Sequence, residues 1–133
     1  LKPQATRLAI LSLIALSLKA AASDSKNGLE QGILQYVEGN TAEAAVILDK
    51  ELAASKSKPH ELRVRFYLAK LKVEDDPESA VKMLRPLLKE QEESLGLDHP
   101  DSISTARLLS RTLSRLGTEA DKAESQKVLE QVL

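Results

Sequence analysis

No cysteine occurs in the 133 residues, so disulfides, thiolate nucleophiles and thiolate metal sites are excluded together. Tryptophan is absent as well, and the aromatic set is Tyr36, Phe66 and Tyr67, too few to build the stacking platforms of a single-strand nucleic-acid binder. Charge of neither sign is in excess, with 19 Lys and Arg against 20 Asp and Glu, so the global balance draws the chain neither to nucleic acid nor to an anionic membrane. The five glycines are dispersed, which leaves no glycine-rich phosphate cradle, and no GxSxG elbow surrounds a serine. His60 and His99 each adjoin a proline and have no second His or Cys at ligand spacing. The acidic clusters Asp75-Asp76 and Glu90, Glu92, Glu93 lack the alternating spacing of a calcium loop and read as a solvated turn and helix end. No catalytic residue, metal or cofactor is therefore expected, and the chain is not expected to be an enzyme.

Long hydrophobic runs are also missing. Leu8 to Leu18 is an apolar stretch of eleven, short of the roughly 20 residues that cross a bilayer. Lys2 and Arg7 before it and Ala20 to Ala22 after it resemble the flanks of a secretory leader. Lys19 interrupts that pattern, however, and Ser12 and Ser17 dilute it. The run reads as a buried helix, with a targeting segment as the alternative. A cytoplasmic location is expected, and a start at Leu1 reads as a piece of a longer protein.

What the chain does contain is Leu, Ala, Glu, Lys and Ser, a mixture that favours helices over strands. Apolar residues recur at helical spacing and strand alternation is not found. Seven helices are expected, at about 3–22, 25–38, 41–55, 61–74, 77–95, 101–116 and 118–133. Gly39-Asn40, Lys58-Pro59, Asp75-Asp76, Leu95-Gly96 and Gly117 interrupt them, Thr41 is a candidate cap, and Pro86 is a candidate bend. No linker divides them.

These helices repeat. A short apolar helix, a tight turn and a second helix with a small residue in its first turn recur three times. The turns fall at Gly39, Asp75 and Gly117, the small residues at Ala44, Ala80 and Ala123, and a large apolar residue follows four later at Leu48 and Leu84. A small side chain lets paired helices approach closely, and stacking is needed because one hairpin cannot bury both its faces.

On those residues the chain resembles the tetratricopeptide repeat (TPR) family. Gly32, Gly39, Ala44 and Leu48 stand at the motif spacing, with Glu43 before the alanine. The second unit keeps Ala80, Leu84 and Leu88 but has Leu68 and Asp75 where glycine is usual. In the third, Leu95-Gly96-Leu97-Asp98-His99-Pro100-Asp101 followed by Leu109, Leu113 and Gly117 looks like the long-loop subtype found in kinesin light chains. The turns obey its longer period, 36 residues from Gly39 to Asp75 and 42 from Asp75 to Gly117. The resemblance implies an all-α, right-handed solenoid of antiparallel hairpins. Its parts would be an N-terminal helix over 1–24, capping or belonging to a preceding repeat, and three repeats at about 25–58, 59–100 and 101–133. It also implies that His99 fixes the geometry of its loop.

One constellation is patterned. Arg107, Arg111 and Arg115 recur every four residues, with no acid from Ser102 to Gly117. A step of four advances a helix by only about 40°, so the three form one stripe. In the resemblance the first helix of each hairpin lines a concave groove, and its register puts Arg65, Lys72, Arg107, Arg111 and Arg115 on that side as partner-binding residues. The alternative is that these arginines are solvated or paired with acids across hairpins. The paired asparagines of many kinesin-light-chain-like groove helices are replaced by Arg107 and Leu108, so cargo recognition does not carry over. The expected function is a protein-interaction module holding an acidic peptide or helix in a partly basic groove. The rival is a structural spacer or oligomerisation segment of a larger signalling protein. Homo-oligomer formation through end helices is a further expectation, from Ile10, Leu11, Ile14 and Leu18 at one end and Val128, Leu129 and Val132 at the other.

Overall fold

Six α-helices and no strand make up the part that the computed structural model describes, residues 27–133. They are α1 (Gly28–Val37), α2 (Thr41–Ala54), α3 (Lys58–Asp75), α4 (Pro77–Leu95), α5 (Pro100–Leu116) and α6 (Glu119–Val132). The helix expected over 3–22 lies outside the described residues. The other six stand where the periodicity puts them, except that α3 begins at Lys58, so the expected break at Lys58-Pro59 falls in its first turn; the ends are set by local chemistry. Proline enters the first turn of α3, α4 and α5, where its missing N–H costs nothing. The side chains of Asn27, Asp76, His99 and Thr118 accept hydrogen bonds from the first amides of α1, α4, α5 and α6. Thr41, the expected cap, is already helical. Asn40 precedes it and spends its side-chain amide on Gln35 Oε1, at 2.8 Å. α4 continues through Pro86.

Two compact units divide the chain, residues 1–50 and 51–133, with the boundary inside α2. In the first, the described packing centres on Gly32 of α1 and Leu48 of α2. Leu48 and Ala44 are fully buried, and a β-carbon added to Gly32 would stand 2.5 Å from Leu48 Cδ2 and 2.6 Å from its Cγ. Only the bare glycine leaves room for that leucine.

In the second unit α3 packs on α4, α4 on α5 and α5 on α6, while α3 also touches α5. Leu62, Ala69 and Val73 of α3 meet Ala80, Val81, Leu84, Leu87 and Leu88 of α4. Ala106, Leu108, Leu109 and Leu113 of α5 and Val128 of α6 continue the same cluster. Ala80 is fully buried, as the close approach of a hairpin requires.

Ala123 is not its counterpart, because it is exposed. It stands six residues after its turn at Gly117, where Ala44 and Ala80 stand five after Gly39 and Asp75. Thr118 caps the helix in a reciprocal box with Asp121, and the buried position passes to Ser125. The crossing of α5 and α6 is made of hydroxyls: Ser125 Oγ lies 2.6 Å from Ser110 Oγ and 3.1 Å from Ser114 Oγ, and donates to the Ser110 carbonyl at 2.9 Å. Gly117, at φ +75°, closes this hairpin in a left-handed conformation that costs glycine little.

At the C-terminal end, Val128 is buried, and Leu129 and Val132 are half-buried with Val132 packed on the unit's own core. Of the residues on which self-association was expected there, Val128 and Val132 thus belong in part to the unit's own core. The N-terminal half of that expectation, Ile10, Leu11, Ile14 and Leu18, lies outside the described residues.

Candidate interaction face

α3 and α5 run in the same direction, side by side. Arg63, near the start of α3, donates from Nε to Asp101 Oδ2 in the first turn of α5 at 3.2 Å. Arg115, in the last turn of α5, reaches Glu74 Oε1 at 3.3 Å and the Val73 carbonyl at 3.4 Å, both at the end of α3. Like ends are therefore joined to like ends.

The five arginines and lysines singled out by sequence do not share one environment. Arg107 and Arg111 are exposed on α5, and among the described residues neither has an ion pair or hydrogen bond. Arg115 belongs to the same stripe but is held by Glu74. Arg65 is turned toward α4, where it pairs with Glu90, and it has a longer contact with Glu61 at 3.9 Å. It lines a cleft with Leu52, Leu68, Met83 and Pro86. Lys72 is exposed, seven residues on from Arg65 and thus on that same side of α3.

Two residues along a helix rotate the side chain by about 200°, so the α3 residues on the α5 side are Arg63 and Lys70 rather than Arg65 and Lys72. Lys70 Nζ lies 5.9 Å from the centroid of the Phe66 ring and 6.0 Å from that of Tyr67, whose planes meet edge to face at 5.4 Å. Sequence reasoning missed Arg63. The available signal was Asp101, 38 residues later and close to one repeat away.

Local electrostatics fall into two groups. Glu90 accepts from Lys58 Nζ at 2.9 Å and pairs with Arg65. The hydrogen bond from Lys58, then that from Arg65, hold its carboxyl below the usual range. Glu90, followed by Glu61, raises Lys58 in turn. Asp76 is lowered by the hydroxyl and then the amide of Ser79, at 2.6 and 3.2 Å. Both groups stabilise helix starts and junctions.

His60 shares a 2.7 Å hydrogen bond with Glu51. His99 is the α5 cap, its Nδ1 accepting from the Asp101 amide at 3.1 Å. No cluster of three or more His, Cys, Asp or Glu suited to a metal occurs among the described residues, and no helix there is long and apolar enough to cross a membrane.

No family profile and no curated protein matches the sequence. A solved crystal structure does: the nearly identical TPR-like repeats of a kinesin light chain of Podosopora anserina, at 24% identity and a TM-score of 0.60, over 79% of this chain. The fold is a TPR-like helical repeat. The match takes in 51% of that chain, so this sequence spans about half its length. TPR-like architecture explains why each helix of the second unit packs chiefly on its successor, and why α3 and α5, as first helices of consecutive hairpins, lie parallel. Gly96 and the His99 cap lie in the four-residue connection between α4 and α5.

Proposed function

We propose that the chain is a protein–protein interaction module that holds a peptide or helix of an acidic partner across the open side of α3 and α5, and that the repeats divide at about 25–58, 59–100 and 101–133. One observation carries this reading. Arg107 and Arg111 stand one turn apart on an exposed helix face, and no carboxylate among the described residues neutralises them. Nearby Glu74 and Asp101 are taken by Arg115 and Arg63. A guanidinium is suited to the task because its planar fork pairs with carboxylate or phosphate oxygens by two bonds. Like charges gathered on one face also steer an acidic partner toward it. Arg65 and Lys72 lie on the other side of α3 and would serve a partner only at its edge. No catalytic role is proposed, since TPR-like folds are typically interaction scaffolds.

The test uses a fluorescent peptide rich in Asp and Glu, with and without a phosphoserine, as the probe. Replacing Arg107 and Arg111 together by Ala should weaken binding about tenfold, the equivalent of about 1.4 kcal/mol. Melting should move by less than about 0.5 kcal/mol, because both side chains are solvent-facing. Affinity should also fall as salt rises, since exposed charges are screened over about 8 Å at physiological ionic strength. Binding indifferent to both the double substitution and salt would remove the reading.

A further inference from the structure

The junction of α3 and α5 has an uneven construction. Its two ends are tied by the Arg63–Asp101 and Arg115–Glu74 pairs, and Arg115 adds a bond to the Val73 carbonyl. Thr105 and Thr112 of α5 are fully buried, yet their hydroxyls go to carbonyls of their own helix, those of Asp101 at 3.0 Å and Leu108 at 2.7 Å. Apolar packing is non-directional, although close-packed side chains also limit how far two helices can part. The two links are directional, and they lie at opposite ends of the same parallel pair.

We propose that Arg63 and Arg115 are positioning residues which, through Asp101 and Glu74, set the width of the α3–α5 face on which Arg107 and Arg111 stand. The brace itself is independent of any partner. Its consequence for binding rests on the interaction reading above. Exposed pairs of this kind add little to global stability, but each can shift the ratio of two helix spacings by about two- to fivefold. Because all four side chains face water, the brace is sensitive to salt. The stripe then divides by role, with Arg107 and Arg111 left for a partner and Arg115 spent on the frame.

The absence of cysteine makes the test direct. Lys70→Cys and Ser104→Cys place one spin label on each helix, and neither residue belongs to either pair. Distances are measured in the chain without partner, at about 0.01 M and about 1 M salt, where the screening length drops from roughly 30 to 3 Å.

Asp101→Asn and Arg115→Gln, each alone, should broaden the distribution and lengthen its mean by about 2 Å, the scale of a helix shift. High salt should do the same to the parent. The exchange Arg63→Asp with Asp101→Arg should restore the parent distance. Arg85→Gln, which breaks an equally exposed pair with Glu124 elsewhere, should not alter it. Where a variant loses helicity, the salt series on the parent decides alone. Distributions that superimpose at both salt concentrations, and in both brace variants, overturn the proposal.

A second arm measures the acidic peptide, for which Asp101→Asn should lower affinity severalfold. A parent that binds no acidic peptide counts against the interaction reading, while the distance measurement still decides the brace.

Discussion

Gly32 lies beneath Leu48 so closely that even a methyl group at position 32 would overlap the leucine's Cγ and Cδ2. Leu48 is fully buried. Gly32→Ala gains up to about 1 kcal/mol of helix propensity, and overpacking costs about 1–3 kcal/mol. The net change should be destabilising in denaturant titration. Leu48→Ala should relieve it, so that the double substitution costs less than the sum of the two single ones.

The hydroxyl crossing of α5 and α6 makes a different prediction. Ser125→Ala removes the hydroxyl nearest Ser110 Oγ and leaves that buried group only its 3.4 Å bond to the Ser125 carbonyl, which should cost about 1 kcal/mol. Ser110→Ala with Ser125→Ala removes both hydroxyls and should cost less than Ser125→Ala alone. A double-mutant cycle by chemical denaturation reads this directly.

Stability should fall in acid through Asp76 and Glu90. Both carboxyls are held below their usual range in the fold, so the unfolded chain binds these protons more tightly than the folded one. Their contribution is complete above the unfolded value, near pH 4, and is lost as pH falls through the lower folded values. Lys58 works in the opposite direction. Its raised value gives stability that is complete below the unfolded value, about 10.4, and lost as pH climbs past the folded one. Unfolding free energies measured from pH 7 down to pH 2 should show the parent converging on Asp76→Asn and Glu90→Gln as the carboxylates protonate.

His99 caps α5 from a position where sequence statistics favour Ser, Thr, Asp or Asn. Loss of an N-cap side chain costs typically about 1 kcal/mol, so His99→Ala should lower the midpoint of thermal unfolding. His99→Asn should retain most of the stability, because an amide oxygen can accept the same Asp101 amide hydrogen.

The fold was legible where spacing alone decided it. Ala44, Ala80, Leu48 and Leu84 stand at the helix crossings the repeat pattern assigned to them, and all four are fully buried. Ala123 was misread because it stands six residues after its turn rather than five, and the helix that the Thr118–Asp121 cap starts buries Ser125 instead. Side-chain placement was legible on α5, where an acid-free stretch leaves Arg107 and Arg111 exposed and without an ion pair among the described residues. On α3 it was not. Arg63 and Arg65 are equivalent in chemistry and differ by about half a turn, and the second repeat has Leu68 and Asp75 where glycines would anchor the register. Only the acids across the gaps separate the two arginines, Asp101 for Arg63 and Glu90 for Arg65, and those pairings depend on how the hairpins stack.

The order in which helices meet also bears on how the second unit reaches its structure. Each helix there packs on its successor, and the most distant partners joined by a hydrogen bond, Arg115 and Val73, are 42 residues apart. Low contact order goes with fast folding, because only short loops have to close before contacts repay their entropy. In such an array stability is close to a sum of hairpin and neighbour terms, so one hairpin can fray and re-form while the rest of the array stays folded.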